Sequence, residues 1–154
     1  MNTGMQTYQL RPSIKADHDA IAEIWHSSAS LPGVGPLVMP TKAELRERVE
    51  VEFAAGWNVT VAVHINEIVG FVAIEPSEAV LAELFVRPQT IGSGIGRALL
   101  AHAMTAMPQG FTLITRLTNT RACNFYEKAG LIALRHDKHP RTGDPVICYG
   151  WNAR

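Results

Sequence analysis

Three glycines at alternate positions, Gly92, Gly94 and Gly96, constrain the fold of this chain more than any other feature. They follow the largely apolar stretch 80–86 and lead into the apolar stretch 95–107, so the sequence predicts a strand, a glycine loop and a helix in succession. Because glycine lacks a side chain, the N–H groups of such a loop can come close to a ligand. The start of a helix also stabilises negative charge, so the pattern predicts an anion site.

The charge of the surrounding segment favours the same interpretation. Residues 84–126 contain no Asp, Glu or Lys, and their only charged side chains are the four arginines Arg87, Arg97, Arg116 and Arg121. The preceding segment, 42–83, is acidic, with eight glutamates against three basic residues. The acidic segment consists either of solvated helix and strand faces or of groups that attract a cationic amine. The basic segment predicts a pyrophosphate-containing, nucleotide-like ligand.

Two common phosphate-binding motifs do not fit the glycine run. A Walker A loop needs a Lys followed by Ser or Thr, whereas Arg97 and Ala98 follow Gly96. In a Rossmann fingerprint counted from Gly92, the third small residue would fall on Arg97, and the acidic residue expected about 20 positions later is missing. A further alternative is that the glycines only shape a turn.

Composition excludes several other classes of protein. The chain has 154 residues, so we expect one domain spanning 1–154, and its 14 basic and 14 acidic residues give no net charge that would favour nucleic acid or an anionic membrane. Cys123 and Cys148 lack paired spacing, which argues against a disulfide framework and against a metal site. With no signal pattern and no apolar run of spanning length, we expect a cytoplasmic protein.

Turn and cap signals divide the rest of the chain into short elements. Asp17 can cap a first helix, Thr41 and Glu44 form a capping box for a second that ends near Ala55, and Asn119 can cap a fourth. Strands are predicted at residues 8–11, 58–64, 68–75, 80–86, 111–117, 131–135 and 145–149. The resulting order, β-α-α-β-β-β-α-β-α-β-β, indicates an α/β fold with a mixed sheet and helices on its faces.

Two blocks of sequence resemble the GNAT superfamily of N-acetyltransferases. The first is Leu84-Phe85-Val86-Arg87-Pro88 followed by Gly94-Ile95-Gly96, and the second is the stretch 119–131, Asn-Thr-Arg-Ala-Cys-Asn-Phe-Tyr-Glu-Lys-Ala-Gly-Leu. The predicted element order also agrees with this family over nearly the whole chain. The resemblance implies a mixed, mostly antiparallel seven-stranded sheet with helices on both faces, and transfer of acetyl from acetyl-CoA.

The resemblance also implies which residues hold acetyl-CoA. Pantetheine would lie along the strand and pyrophosphate on the glycine loop, and the implied contacts are Leu84, Phe85, Val86, Ile91, Gly92, Ser93, Gly94, Ile95, Gly96, Arg97, Asn119 and Phe125. Ile91 departs from the family pattern, which has Arg or Gln at this position. Arg97 could supply a charge-assisted contact instead.

The implied chemistry is direct attack of a primary amine on the thioester in a ternary complex. Tyr126 corresponds to the family's general acid, which protonates the departing thiolate, although it could instead only pack beside Phe125. Glu83 could accept the amine proton; the alternatives are a surface glutamate and proton removal through water. An N–H group near Leu84 could act as an oxyanion donor.

The acceptor amine is not identified by any sequence feature. The resemblance implies a pocket built from about 26–48 and 135–149, with Trp25 and Trp57 as a potential apolar wall. Either a small molecule or a peptide could occupy it, and a homodimer stays open. A function of another class also remains, namely a non-catalytic acyl-CoA-binding sensor or interaction module on the same fold.

Overall fold

A computed structural model describes residues 8–152 of the chain. Within this range seven strands and four α-helices follow one another in the predicted order, with short 3₁₀ turns between some of them. The strands are β1 (Gln9–Pro12), β2 (Asn58–His64), β3 (Glu67–Glu75), β4 (Val80–Val86), β5 (Phe111–Arg116), β6 (Ile132–Lys138) and β7 (Pro145–Trp151). The helices are α1 (His18–Ala29), α2 (Lys42–Ala55), α3 (Ile95–Ala106) and α4 (Thr120–Lys128).

The strands form a seven-stranded sheet in the order β1-β2-β3-β4-β5-β7-β6. Among the described strands, β4 and β5 pair in parallel and all other neighbours are antiparallel. Alternate residues of β3 enter two separate cores: Val72 packs with α3 and α4, and Phe71 packs with α1 and α2. Because successive strand side chains point to opposite faces, helices cover both faces of the sheet, as predicted.

The sheet opens between β4 and β5. These strands pair only at Val80 and Thr112, where the Thr112 N–H donates to the carbonyl of Ala79 at 3.0 Å. The β3–β4 register shifts just beyond this point, so Ala82 is an extra residue on β4. Such a bulge bends and twists its strand. From Glu83 onward, β4 has a partner on its β3 side and an open edge towards β5.

Two of the three predicted helix caps are confirmed. The Thr41 hydroxyl accepts from the Glu44 N–H at 3.1 Å while the Glu44 carboxylate accepts from the Thr41 N–H at 2.8 Å. Asn119 Oδ1 accepts from the Ala122 N–H at 3.2 Å. The role predicted for the Asp17 side chain is wrong, because its carboxylate does not cap α1.

The Asp17 carboxylate is engaged by groups that precede it in the chain. It accepts from the Arg11 guanidinium at 2.7 Å and from the Ile14 N–H at 2.8 Å. The Arg11 hydrogen bonds hold the pKa of this carboxyl below its usual value. The Asp17 carboxylate therefore binds the charged guanidinium of Arg11, outside the helix, instead of a neutral backbone N–H of α1.

The last two strands extend further than predicted. β6 continues past Arg135 to Lys138, and β7 continues past Tyr149 to Trp151. All seven residues of β6 are exposed, so this strand has no buried face to produce an alternating pattern in its sequence. The sequence did not reveal where β6 ends, because this strand is held in the sheet by hydrogen bonds to β7 and not by burial of its side chains.

Candidate active site

A groove of about 530 Å³ lies at the open edge of β4. Its walls come from β4, the glycine loop and the first turns of α4, so both sequence blocks meet there. Eleven of the twelve predicted cofactor contacts line it: Leu84, Phe85, Val86, Ile91, Gly92, Ser93, Gly94, Gly96, Arg97, Asn119 and Phe125. The groove also includes Tyr126.

Ile95 differs from the other predicted contacts. Its side chain is 3% exposed and packs in the core beside Leu99, so it does not line the groove. As the first residue of α3, it has a backbone N–H without a partner inside the helix. The prediction is therefore corrected for its side chain, and only the backbone of Ile95 is available to a ligand.

The glycine loop requires a conformation that other residues rarely adopt. Gly92 and Gly94 both have φ of +92°, and no heavy atom lies within 4 Å of a Cβ built at either position. Glycine is therefore needed for the backbone angle rather than to avoid a clash in the free protein. Ser93 secures the loop, since its hydroxyl donates to the Thr90 carbonyl at 2.6 Å.

The electrostatic environment of the groove is positive. Arg97 and Arg121 line it and no carboxylate does. Neither arginine forms an ion pair within 4 Å among residues 8–152. Sequence reasoning did not assign Arg121 to the site, although the acid-free stretch that contains it was the signal that could have done so. Ile91, 39% exposed, contributes an apolar side chain at the same groove.

Ser28 is a second groove residue that the sequence did not reveal. It lies on α1, and its hydroxyl donates to the carbonyl of Val86 at 2.8 Å, which ties α1 to the end of β4. Gly33, in the loop after α1, makes a further close approach: a Cβ there would lie 2.5 Å from the Thr118 carbonyl oxygen. These contacts hold the α1–α2 loop across the opening between β4 and β5.

Tyr126 combines packing with access to the groove. Its ring lies 5.2 Å from that of Phe125 and 6.0 Å from that of Tyr149, between centroids, and the residue is 7% exposed. Burial and the nearby charge of Glu83 raise the pKa of the Tyr126 hydroxyl above its ordinary value. The hydroxyl therefore stays protonated near neutral pH, and the residue as a whole is one of those that line the groove.

A second cavity, of about 580 Å³, lies on the other face of β4. Its walls come from α1, α2, the loop between them, β5, β7 and the β6–β7 loop, and they include Trp25 and Trp57 as expected. Val34 and Phe85 line both this cavity and the groove, so the two spaces adjoin across the edge of β4. We call them the cofactor groove and the acceptor cavity, after the roles expected from the sequence.

Glu83 is half-buried and lines the acceptor cavity. Strand alternation places it opposite Leu84, which faces the groove. Burial raises the pKa of the Glu83 carboxyl to about 7, while Arg141, Arg48 and Arg116 oppose this rise. A carboxyl that is partly ionised near neutral pH can exchange protons with an amine.

The acidic segment predicted from the sequence does not produce an acidic cavity. Glu44 caps α2, and Glu50 binds both His18 and Arg46 at 2.7 Å. Apart from His139, the charged residues that line the acceptor cavity are four arginines and three glutamates: Arg48, Arg116, Arg135, Arg141, Glu52, Glu75 and Glu83. Arginines therefore outnumber glutamates around this space by one.

His102, on α3, has a structural role. His102 Nε2 lies 2.9 Å from the Thr60 hydroxyl, and His102 lines neither the groove nor the acceptor cavity.

Among residues 8–152, no helix is both long enough and apolar enough to traverse a bilayer.

Comparison with known proteins agrees with the fold and with the two blocks. The model of the acetyltransferase (GNAT) domain family matches residues 55–130. The peptidyl-lysine N-acetyltransferase YjaB of Salmonella typhimurium is 32% identical over 121 residues, which cover 78% of this chain and 70% of the relative.

Solved structures extend the similarity over nearly the whole chain. The solution structure of apo YjaB from Escherichia coli superposes with a TM-score of 0.71 at 23% identity, covering 94% of this chain and 97% of the other. The yncA protein of Salmonella typhimurium, solved with its cofactor acetyl-CoA, gives a TM-score of 0.71 at 14% identity and covers 96% and 94%. At these identities the structures establish the shared fold.

Proposed function

The chain belongs to the GNAT family of acetyltransferases and is an acyltransferase, and on that premise we propose that it transfers an acetyl group from acetyl-CoA to a primary amine. The observation that carries this proposal is the open edge of β4, with a carboxylate-free groove on one side and the cavity containing Glu83 on the other. A thioester lying at this edge would be accessible to an amine in the acceptor cavity.

The cofactor groove suits the chemistry of acetyl-CoA. Pantetheine contains two amides, and the unpaired edge of β4 can hydrogen-bond them as an added strand. The pyrophosphate would lie at the glycine loop, where the first N–H groups of α3 lack partners within the helix. Arg97 and Arg121 would add charge-assisted hydrogen bonds. The yncA structure with acetyl-CoA, which shares this fold, supports the assignment.

The reaction would proceed by direct attack of the amine on the thioester carbonyl carbon. The C–N bond forms as the C–S bond breaks, and an N–H group near Leu84 stabilises the developing oxyanion. Glu83 accepts a proton from the attacking amine, and Tyr126 donates a proton to the departing thiolate sulfur. The products are the N-acetylated amine and the thiol form of coenzyme A.

Glu83 and Tyr126 are suited to these different roles by their surroundings. Burial raises the pKa of both, but it leaves Glu83 at about 7, where the carboxylate is available, and keeps Tyr126 protonated. Two titratable groups with such separated pKa values can act as base and acid at one pH. The charge of Glu83 also disfavours ionisation of Tyr126, so the two groups are electrostatically linked.

The acceptor class proposed first is the lysine side chain, because the YjaB relative is named as a peptidyl-lysine N-acetyltransferase. The acceptor cavity provides the apolar surface of Trp25 and Trp57 for the methylene chain of such an amine. A non-catalytic acyl-CoA-binding module remains a second candidate, and the observation that favours it is Ile91, which offers no polar group to the pyrophosphate.

One experiment separates these two functions. Purified protein is incubated with acetyl-CoA and a panel of lysine-containing peptides and small amines, and thiol release and the acetylated product are both measured. Calorimetry with acetyl-CoA is run in parallel. Amine-dependent thiol release supports the enzyme, whereas binding of acetyl-CoA without transfer to any amine supports the non-catalytic module.

A further inference from the structure

Arg48 on α2 and Arg141 in the β6–β7 loop both line the acceptor cavity. Neither forms an ion pair within 4 Å in the part of the chain that the structure describes. The other two arginines of this lining are paired, Arg116 with Asp144 at 2.9 Å and Arg135 with a neighbouring aspartate at 3.6 Å. The cavity therefore contains two guanidinium groups without a close carboxylate.

These two groups are held near each other at an energetic cost. Arg48 is half-buried, with its guanidinium carbon 5.4 Å from the centroid of the Trp25 ring. Burial and the charge of Arg141, which lines the same cavity, both lower the pKa of Arg48. Glu52 and Glu83 partly offset this repulsion.

The arrangement is complementary to an anion. Guanidinium groups bind carboxylates through paired, charge-assisted hydrogen bonds, and a bound anion would relieve the repulsion between the two arginines. Of the four arginines in the cavity lining, Arg48 and Arg141 are the two whose guanidinium groups have no close carboxylate among the described residues, so they remain available to a carboxylate of the acceptor. A dianion such as phosphate would be repelled more strongly by Glu52, Glu75 and Glu83 than a monoanion.

We propose that the acceptor amine belongs to a molecule with a carboxylate, which Arg48 and Arg141 bind while the amine faces Glu83. This inference rests on the proposed function, because it names the acceptor class for the same site. The carboxylate has two sources: the α-carboxylate of a free amino acid, or an acidic side chain close to a lysine in a peptide. Both supply the same recognition chemistry, and matched acceptors distinguish them.

The test uses pairs of acceptors that differ only in charge. One pair is lysine and lysinamide; the other is a lysine peptide flanked by glutamates and the same peptide flanked by glutamines. We expect the carboxylate member of one pair to have a kcat/KM higher by about tenfold or more, as for hydrogen bonds to charged groups. The pair that shows the preference identifies the source.

Variants assign the preference to the two arginines. In Arg48→Ala and Arg141→Ala, KM should rise for the carboxylate acceptor only, with KM for acetyl-CoA unchanged. The matched control Arg135→Ala, which removes a paired arginine of the same lining, should retain the preference. Equal kcat/KM within both pairs for the wild-type enzyme overturns the inference and leaves the transferase function intact.

A binding measurement keeps the inference testable if transfer itself fails. Calorimetry in the presence of coenzyme A compares Nε-acetyllysine with its carboxamide, and the acetylated acidic peptide with its glutamine counterpart. Tighter binding of a carboxylate member, lost in Arg141→Ala, supports the inference whatever the turnover. Equal binding, or no binding, in both pairs overturns it.

Discussion

The proposed role of Glu83 leads to a specific pH dependence of turnover. Only the ionised carboxylate can accept the amine proton, and burial raises the pKa of this group from 4.5 to about 7. The ionised fraction then rises from about one tenth at pH 6 to about nine tenths at pH 8. We therefore expect kcat to increase roughly tenfold over this range and to level off above it.

Replacing Glu83 with Gln removes the proton acceptor and preserves the size of the side chain. Loss of a positioned base should lower kcat by about 10²–10⁴-fold and remove the inflection near neutral pH. The assay is thiol release at saturating acetyl-CoA and acceptor, measured at closely spaced pH values. Glu52→Gln, which changes another carboxylate of the same cavity, is the matched control and should retain the inflection.

Stability provides an independent check of the same pKa. The folded-state pKa of Glu83 lies above the unfolded value, so the folded protein favours the protonated form. Ionisation therefore destabilises the native state progressively as pH rises from about 4.5 through about 7. Over this window the wild type should lose melting temperature relative to Glu83→Gln.

Two results would refute this reasoning. An inflection near neutral pH that persists in Glu83→Gln would belong to another group, such as the acceptor amine. Unchanged turnover in that variant would mean that water removes the proton.

A third variant refines the test. Arg141 is the largest charge that opposes the raised pKa of Glu83, so Arg141→Ala should move the inflection to higher pH.

Three other substitutions test the remaining parts of the site. Tyr126→Phe should lower kcat by about 10²–10⁴-fold with acetyl-CoA affinity and melting temperature unchanged; full activity would contradict its role as the acid. Gly94→Glu should weaken acetyl-CoA binding at least tenfold more than Gly94→Ala in calorimetry, because both strain a φ of +92° and only the glutamate repels pyrophosphate. Asn119→Ala should cost about 1 kcal/mol in urea unfolding by removing a helix cap; an unchanged midpoint would show that the cap contributes nothing.

The order of elements could be predicted because its signals are local. The capping box at Thr41 and Glu44, the cap at Asn119 and the glycines before α3 each mark a boundary within a few residues of sequence. Asp17 was misinterpreted because its decisive partner, Arg11, belongs to the preceding strand. A propensity rule considers only neighbours within the helix and does not include this competing ion pair.

The cofactor groove could be predicted for a similar reason, whereas the acceptor cavity could not. The groove is built mainly from two contiguous blocks, so its residues are visible as motifs. The cavity takes residues from helices, loops and five strands that are far apart in sequence. Its charge could not be read from the acidic segment, because Glu44 and Glu50 of that segment form bonds elsewhere.

The groove also indicates how the proposed anion site could tolerate Ile91 at a position where the family has a polar residue. The loop presents backbone N–H groups whose direction depends on φ at Gly92 and Gly94, not on any side chain at position 91. Positive charge comes from Arg97 and Arg121, on two different helices. Because opposite charges attract over several ångströms, two flanking arginines can neutralise a pyrophosphate that one apolar neighbour does not contact. A polar residue at position 91 would then add to that site, so Ile91 is compatible with acetyl-CoA binding in both candidate functions, the transferase and the non-catalytic module.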